Sequence, residues 1–145
     1  MRQPYYAYKQ TDVGTASPMK LVIMLYDGAI GFLIRSLEYG EGGDIRNRTL
    51  YANKARDIIQ ELNDSLNVAV GGELAGNLRQ IYFFANRHLL QATMGNQTAG
   101  IREVIDLLST LREGWQDAYG QTSMTATGSY GHPAGNPYRQ AGMSV

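Results

Sequence analysis

Three short glycine-rich breaks, Gly40-Glu41-Gly42-Gly43, Gly71-Gly72 and Gly95-Asn96-Gln97-Thr98, cut the middle of this chain into four stretches of similar length. Glycine reaches the left-handed backbone conformations that end helices, so breaks spaced this regularly say where a helical chain turns. Between them, apolar positions recur three and four residues apart. From Asp44, a capping residue type, to about Val70 they include Ala52, Ala55, Ile59, Leu62, Leu66 and Ala69. From Glu73 to Met94 they are Ala75, Leu78, Tyr82, Ala85, Leu89 and Ala92, and from Ala99 to about Tyr119 they are Ile101, Val104, Leu108, Leu111, Trp115 and Ala118. This is the seam of a helix packed along its length. Stretches of about 20 residues make helices on the order of 30 Å long. Short breaks favour antiparallel neighbours, and no long period-2 alternation marks a strand. The expected fold is all-α, an antiparallel up-down four-helix bundle over residues 17–119. An N-terminal arm, residues 1–16, carries Tyr5, Tyr6 and Tyr8 ahead of it. Residues 120–145, rich in Gly, Ser, Thr and Pro with little to bury, are expected to form a disordered tail.

The first stretch differs from the others. Ser17 is a capping type and Pro18 suits the first helical position. Leu21, Val22, Ile23, Met24, Leu25 and Tyr26 then follow without a polar residue. A surface helix ordinarily buries one stripe. This run has more apolar surface than one such contact uses, and the excess must meet another part of the chain or a partner. Gly28 and Gly31 lie inside the same stretch at a cost of about 1 kcal/mol each relative to Ala. Close helix packing is the expected reason, and a groove for a partner backbone the alternative.

Composition narrows the function. The 13 basic and 13 acidic residues cancel, and no basic cluster offers the concentrated positive face that nucleic acid or an anionic membrane surface requires. With 0 cysteines, thiolate metal sites, disulfides and cysteine nucleophiles are excluded. The longest apolar run is far short of a membrane span, and the N-terminus has no apolar signal core. The expected location is therefore the cytosol.

No catalytic constellation emerges. A di-iron bundle needs Glu-x-x-His pairs, and none of Glu38, Glu41, Glu61, Glu73, Glu103 or Glu113 has a His three residues later. No metal ligand set and no cofactor site is expected. Gly71-Gly72-Glu73-Leu74-Ala75-Gly76 lacks the spacing and the preceding strand of a dinucleotide fingerprint. Asp27 borders the apolar run, either as a buried acid or as an edge residue bonded to a neighbour. His88 leaves a second class open, a histidine phosphotransfer bundle in which Ala92 supplies the small residue one turn on and Arg87 stands where a lysine is usual. The bland alternative for His88 is a rim residue beside Leu89 and Leu90. A structural bundle whose spare apolar surface makes a homo-oligomer is a third class.

Thr15-Ala16-Ser17-Pro18, Lys20-Leu21 and Met24-Leu25-Tyr26-Asp27-Gly28-Ala29 together resemble the opening of the flagellar secretion chaperone FliS family. The resemblance continues through Ala55-Arg56-Asp57-Ile58-Ile59, Leu62 and Ser65-Leu66. It resumes at Gly71-Gly72-Glu73-Leu74-Ala75, Asn77-Leu78 and Tyr82, then at Ile101, Glu103-Val104, Leu107-Leu108 and Leu111-Arg112-Glu113-Gly114-Trp115. It covers roughly residues 5–119 in consistent order. It implies an antiparallel helical bundle without enzymatic activity. Such a protein binds the C-terminal segment of flagellin in the cytosol, prevents its premature polymerisation and brings it to the export gate of the flagellar type III apparatus. The resemblance also links the chain to regulatory partners such as an assembly factor or an anti-sigma factor. It implies an arm that lies over part of the client groove, here through Tyr5 and Tyr8.

A chaperone without nucleotide chemistry competes with client self-association by mass action, offering apolar grooves that the client's helical stripe fills better. Leu21, Met24, Leu25, Leu66, Leu78 and Tyr82, with the arm residues Tyr5 and Tyr8, are the candidate client-binding positions. The six bundle positions also suit the core. Met94, like Met24, is adaptable enough to fit an imperfect partner.

Overall fold

The computed structural model describes residues 17–66, 70–95 and 97–129, with side-chain surroundings as far as Gln121. Four helices follow one another: α1 Pro18–Glu41, α2 Ile45–Asp64, α3 Gly72–Met94 and α4 Thr98–Ser129. Among the described residues there is no strand, and the fold is the all-α four-helix bundle that the spacing predicts. The chain divides into two compact units, residues 1–110 and 111–145. The first holds α1–α3 and the opening turns of α4.

Local chemistry sets each boundary. The Ser17 hydroxyl accepts from the Lys20 backbone N–H at 3.2 Å, and Pro18 occupies the first helical position. α1 ends where the Gly42 N–H bonds the Glu38 carbonyl and Gly43 takes φ +83°. Asp44 then caps α2, its carboxylate accepting from the Asn47 backbone N–H at 3.1 Å and from the Asn47 carboxamide at 2.9 Å. At the start of α3, Gly71 and Gly72 both have positive φ, and no side chain caps the helix.

The direction of each helix follows from its cross-contacts. Ser36, late in α1, donates to the Arg48 carbonyl at the start of α2. Arg48 Nη2 donates to the Thr93 carbonyl at the end of α3. A Cβ on Gly40 would sit 2.8 Å from Thr98 Cγ2, and one on Gly100 would sit 2.9 Å from Ala92 Cβ. The end of α1, the start of α2, the end of α3 and the start of α4 therefore meet at one end, as up-down order requires.

The core of the first unit draws on all four helices. On α3 its members are Ala75, Leu78, Tyr82, Ala85, Leu89 and Ala92, the predicted seam without exception. On α2, Ala52, Ala55, Ile59 and Leu62 are buried as expected and Ile58 joins them; Leu66, buried as expected, lies just past the Asp64 end of α2, and Ala69 lies outside the described residues. On α4, Ile101, Val104 and Leu108 are buried in this unit; within the second unit, Trp115 is buried, Leu111 half-buried and Ala118 exposed.

Three expectations change. The dense run of α1 carries little spare surface: Val22, Ile23, Leu25 and Tyr26 are buried, and Leu21 and Met24 are half-buried. A helix that meets more than one neighbour buries a broader stripe than a surface helix does. Gly31 does not mark close packing, because it is exposed and a Cβ there would meet nothing within 4 Å. The fourth helix also passes its expected end near Tyr119 and runs to Ser129. No proline interrupts it, and isolated glycines lower helix stability without ending a helix. The arm, residues 1–16, and residues 130–145 lie outside the described residues.

Candidate functional site

Large apolar side chains left exposed in a packed bundle are the surface that has to be accounted for. Most of them here lie on α3. Phe83 is 66% exposed and Met94 78%, with Leu74, Phe84 and Leu90 also exposed. Phe83, Arg87, Leu90 and Met94 recur at four, three and four residues, so they form one stripe turned away from the core seam. The Arg87 guanidinium lies over the Phe83 ring, 5.9 Å from its centroid.

Beside this stripe, a cleft of about 210 Å³ opens between α2 and α3, lined by Ile59, Gln60 and Asn63 from α2 and by Arg79, Tyr82, Phe83 and Asn86 from α3. Ile59 and Tyr82 belong to the core and form its apolar floor. Tyr82 is held from below: its hydroxyl and that of Tyr26 on α1 lie 2.6 Å apart, with ring centroids 6.3 Å apart. Polar groups rim the cleft, and no carboxylate lines it. Among the described residues, enclosed Asn86 Oδ1 has no hydrogen-bond partner, nor does Nε of Arg56 on α2.

The seam between α1 and α2 has similar ingredients in a closed arrangement. Tyr51 stacks on Tyr39 at 5.5 Å and tilts against Phe32 at 5.9 Å. The Arg35 guanidinium lies 4.6 Å from the Tyr51 centroid, and Lys54 Nζ lies 5.8 Å from Phe32 and 5.9 Å from Tyr51. All three rings are half-buried.

Of the predicted client-binding positions, Leu25, Leu66 and Leu78 are enclosed in the core, and Leu21 and Met24 are half-buried on α1. Tyr82 is buried yet lines the cleft. Tyr5 and Tyr8 lie outside the described residues. The structure gathers Tyr82 with Phe83 and Asn86, two residues the seam spacing passes over. A signal for Phe83 exists in the sequence: Phe83, Leu90 and Met94 are apolar residues that fall off the Tyr82–Leu89 seam and repeat on a face of their own.

His88 is engaged from two sides. Its Nε2 bonds Glu103 Oε1 at 2.5 Å, and its ring stacks on Phe84 with centroids 5.1 Å apart. Asp27 is exposed. Among the described residues, no group of three or more His, Asp or Glu side chains is placed to hold a metal ion, and no helix is long and apolar enough to cross a membrane.

Arg48 holds one end of the bundle. It is 1% exposed, and its stem lies where a Cβ on Gly40 would come within 2.9 Å of Cδ. Its guanidinium reaches the Thr93 carbonyl at 2.5 Å, near the C-terminus of α3, where a cation is favoured by the unpaired carbonyls.

Comparison with known proteins places this architecture. The family model described as "Flagellar protein FliS" matches residues 1–122. The flagellar secretion chaperone FliS of Bacillus subtilis (strain 168) is 35% identical over 118 residues, covering 81% of this chain and 87% of that protein. That of Salmonella typhimurium is 39% identical over 115 residues, covering 76% and 85%. That of Campylobacter jejuni is 33% identical over 115 residues, covering 79% and 90%.

Proposed function

This chain belongs to the FliS family of flagellar secretion chaperones, and from that premise we propose that its client is the C-terminal segment of flagellin. It binds that segment in the cytoplasm, keeps it from polymerising and hands it to a component of the flagellar type III export gate. The observation that carries the reading is the α3 stripe and the cleft beside it. A bundle that has already enclosed its core leaves Phe83 and Met94 mostly in water.

Covering these two side chains contributes roughly 1–2 kcal/mol each, given about 1.5–3 kcal/mol for a fully exposed large apolar residue. A client helix with its own apolar stripe supplies that cover. Holding and release then follow from competing affinities, without nucleotide hydrolysis. Half-buried Leu21 and Met24 offer a smaller apolar surface on α1, and the family resemblance assigns Tyr5 and Tyr8 of the arm a contact with the client. Leu25, Leu66 and Leu78 shape the surface from beneath.

Calorimetric titration with a flagellin C-terminal peptide tests the reading. The expected result is a 1:1 complex with a gain of helical circular dichroism. Absence of binding at tens of micromolar, with the chain folded, would overturn it.

A further inference from the structure

Unmet hydrogen-bonding capacity of a particular kind lies at the cleft between α2 and α3 and one turn beyond it on α2. Asn86 Oδ1, an acceptor, and Arg56 Nε, a donor, are enclosed and unpartnered. Buried polar atoms in folded proteins are nearly always paired, so two orphans on one face call for a partner that the chain itself does not supply. Arg56 stands on the cleft side of α2, because Arg56, Gln60 and Asn63 follow at four and three residues. Asn86 lines the cleft directly.

Charge points the same way. Arg79 lines the cleft, Arg56 lies one turn from Gln60, and Arg87 lies over Phe83. Neither Arg56 nor Arg87 has an ion pair among the described residues, and no carboxylate lines the cleft. The Arg56 guanidinium, on the cleft side of α2 and with no ion pair among the described residues, suits a carboxylate.

We infer that this cleft reads an acidic residue next to an apolar anchor in the client segment. The anchor rests on Ile59, Tyr82 and Phe83, the Arg56 guanidinium pairs the carboxylate, and Asn86 Oδ1 accepts a backbone N–H of the same stretch. The inference rests on the flagellin reading above and adds what selects the register of the client.

The test uses the full chain and synthetic peptides of the flagellin C-terminal segment in which each Asp or Glu is replaced in turn by Asn or Gln. One replacement is expected to weaken binding about tenfold. Arg56→Met should weaken binding of the unmodified peptide to a similar degree, and that one replacement should then cost nothing further. Asn86→Leu should weaken all peptides alike. The peptide series needs no variant to fold, so it stands even if Arg56→Met is unstable. If every acid-replaced peptide binds as the parent does, or if Arg56→Met binds unchanged, the acidic subsite is wrong and flagellin binding survives. If the unmodified chain binds no flagellin peptide, both readings fall together.

Discussion

The two outer seams of α2 use the same materials to opposite ends. Toward α1, Tyr51 sits between Tyr39 and Phe32, and the cations Arg35 and Lys54 lie over the rings. Toward α3, Phe83 stands two-thirds in water, and Asn86 and Arg56 each keep an enclosed atom without a partner. Rings and cations cover one another in the first seam; in the second, Phe83 has Arg87 over it and still stands mostly in water. Composition alone therefore does not say whether an aromatic-cationic surface is structural or receptive. Exposure and unmet hydrogen bonds do.

The largest effect is expected where both seams are tied together. Arg48 receives the Ser36 hydroxyl on its carbonyl and sends its guanidinium to the Thr93 carbonyl, so it joins α1, α2 and α3. Arg48→Ala removes a buried stem and leaves a carbonyl unsatisfied, and should cost roughly 2–4 kcal/mol of unfolding free energy in urea titrations. Arg48→Met keeps most of the stem and should cost about half as much. Equal losses would assign the whole effect to the hydrogen bond and none to packing of the stem.

A paired substitution sharpens the contrast. Tyr51→Ala removes a stacked ring with a cation over it and should lower stability by roughly 1–2 kcal/mol, leaving flagellin-peptide affinity unchanged. Phe83→Ala should do the reverse. Stability stays within about 0.5 kcal/mol, as for exposed positions, while affinity falls at least about tenfold, about 1.4 kcal/mol. Should Tyr51→Ala impair peptide binding and Phe83→Ala leave it intact, the assignment of closed and open seams is inverted.

How much of this was legible beforehand varies by element. The α3 seam reads directly, because three-four spacing maps onto burial wherever a helix packs against its neighbours along its length. The bundle order follows from the glycine breaks. The apolar run of α1 misleads about where the free surface lies, since a sequence shows how much apolar surface a helix has but not how many neighbours share it. Arg48 is invisible in principle: a charged residue in the first turn of α2 reads as solvated, and the carbonyl that needs it lies 45 residues away. The open face of α3 leaves a faint signal in Phe83, Leu90 and Met94. Arg56 and Asn86 leave none, because an unmet hydrogen bond exists only once the helices are placed.

The smallest effect concerns the turns that lead into the two seams. α2 begins on Asp44, whose carboxylate accepts from the Asn47 carboxamide and backbone N–H; these two bonds hold its pKa below the ordinary carboxylate value, with nearby Arg46 assisting. α3 begins on Gly71, which offers no side-chain cap. A group whose pKa is lowered by folding contributes stability that is complete above its unfolded pKa and is lost as pH falls through the folded one. The α1–α2 turn should therefore loosen in acid through Asp44, whereas the turn into α3 has no carboxylate cap to titrate. Asp44→Asn retains an acceptor for the Asn47 backbone N–H but cannot titrate. Its melting temperature should fall slightly below that of the parent at neutral pH and converge with it below the ordinary aspartate range. Because Asp44 is fully exposed, added salt should shrink the neutral-pH gap. A gap that stays constant from neutral to acid pH would show that the capping geometry matters and its charge does not, and the closed seam would then owe nothing to electrostatics at its entry turn.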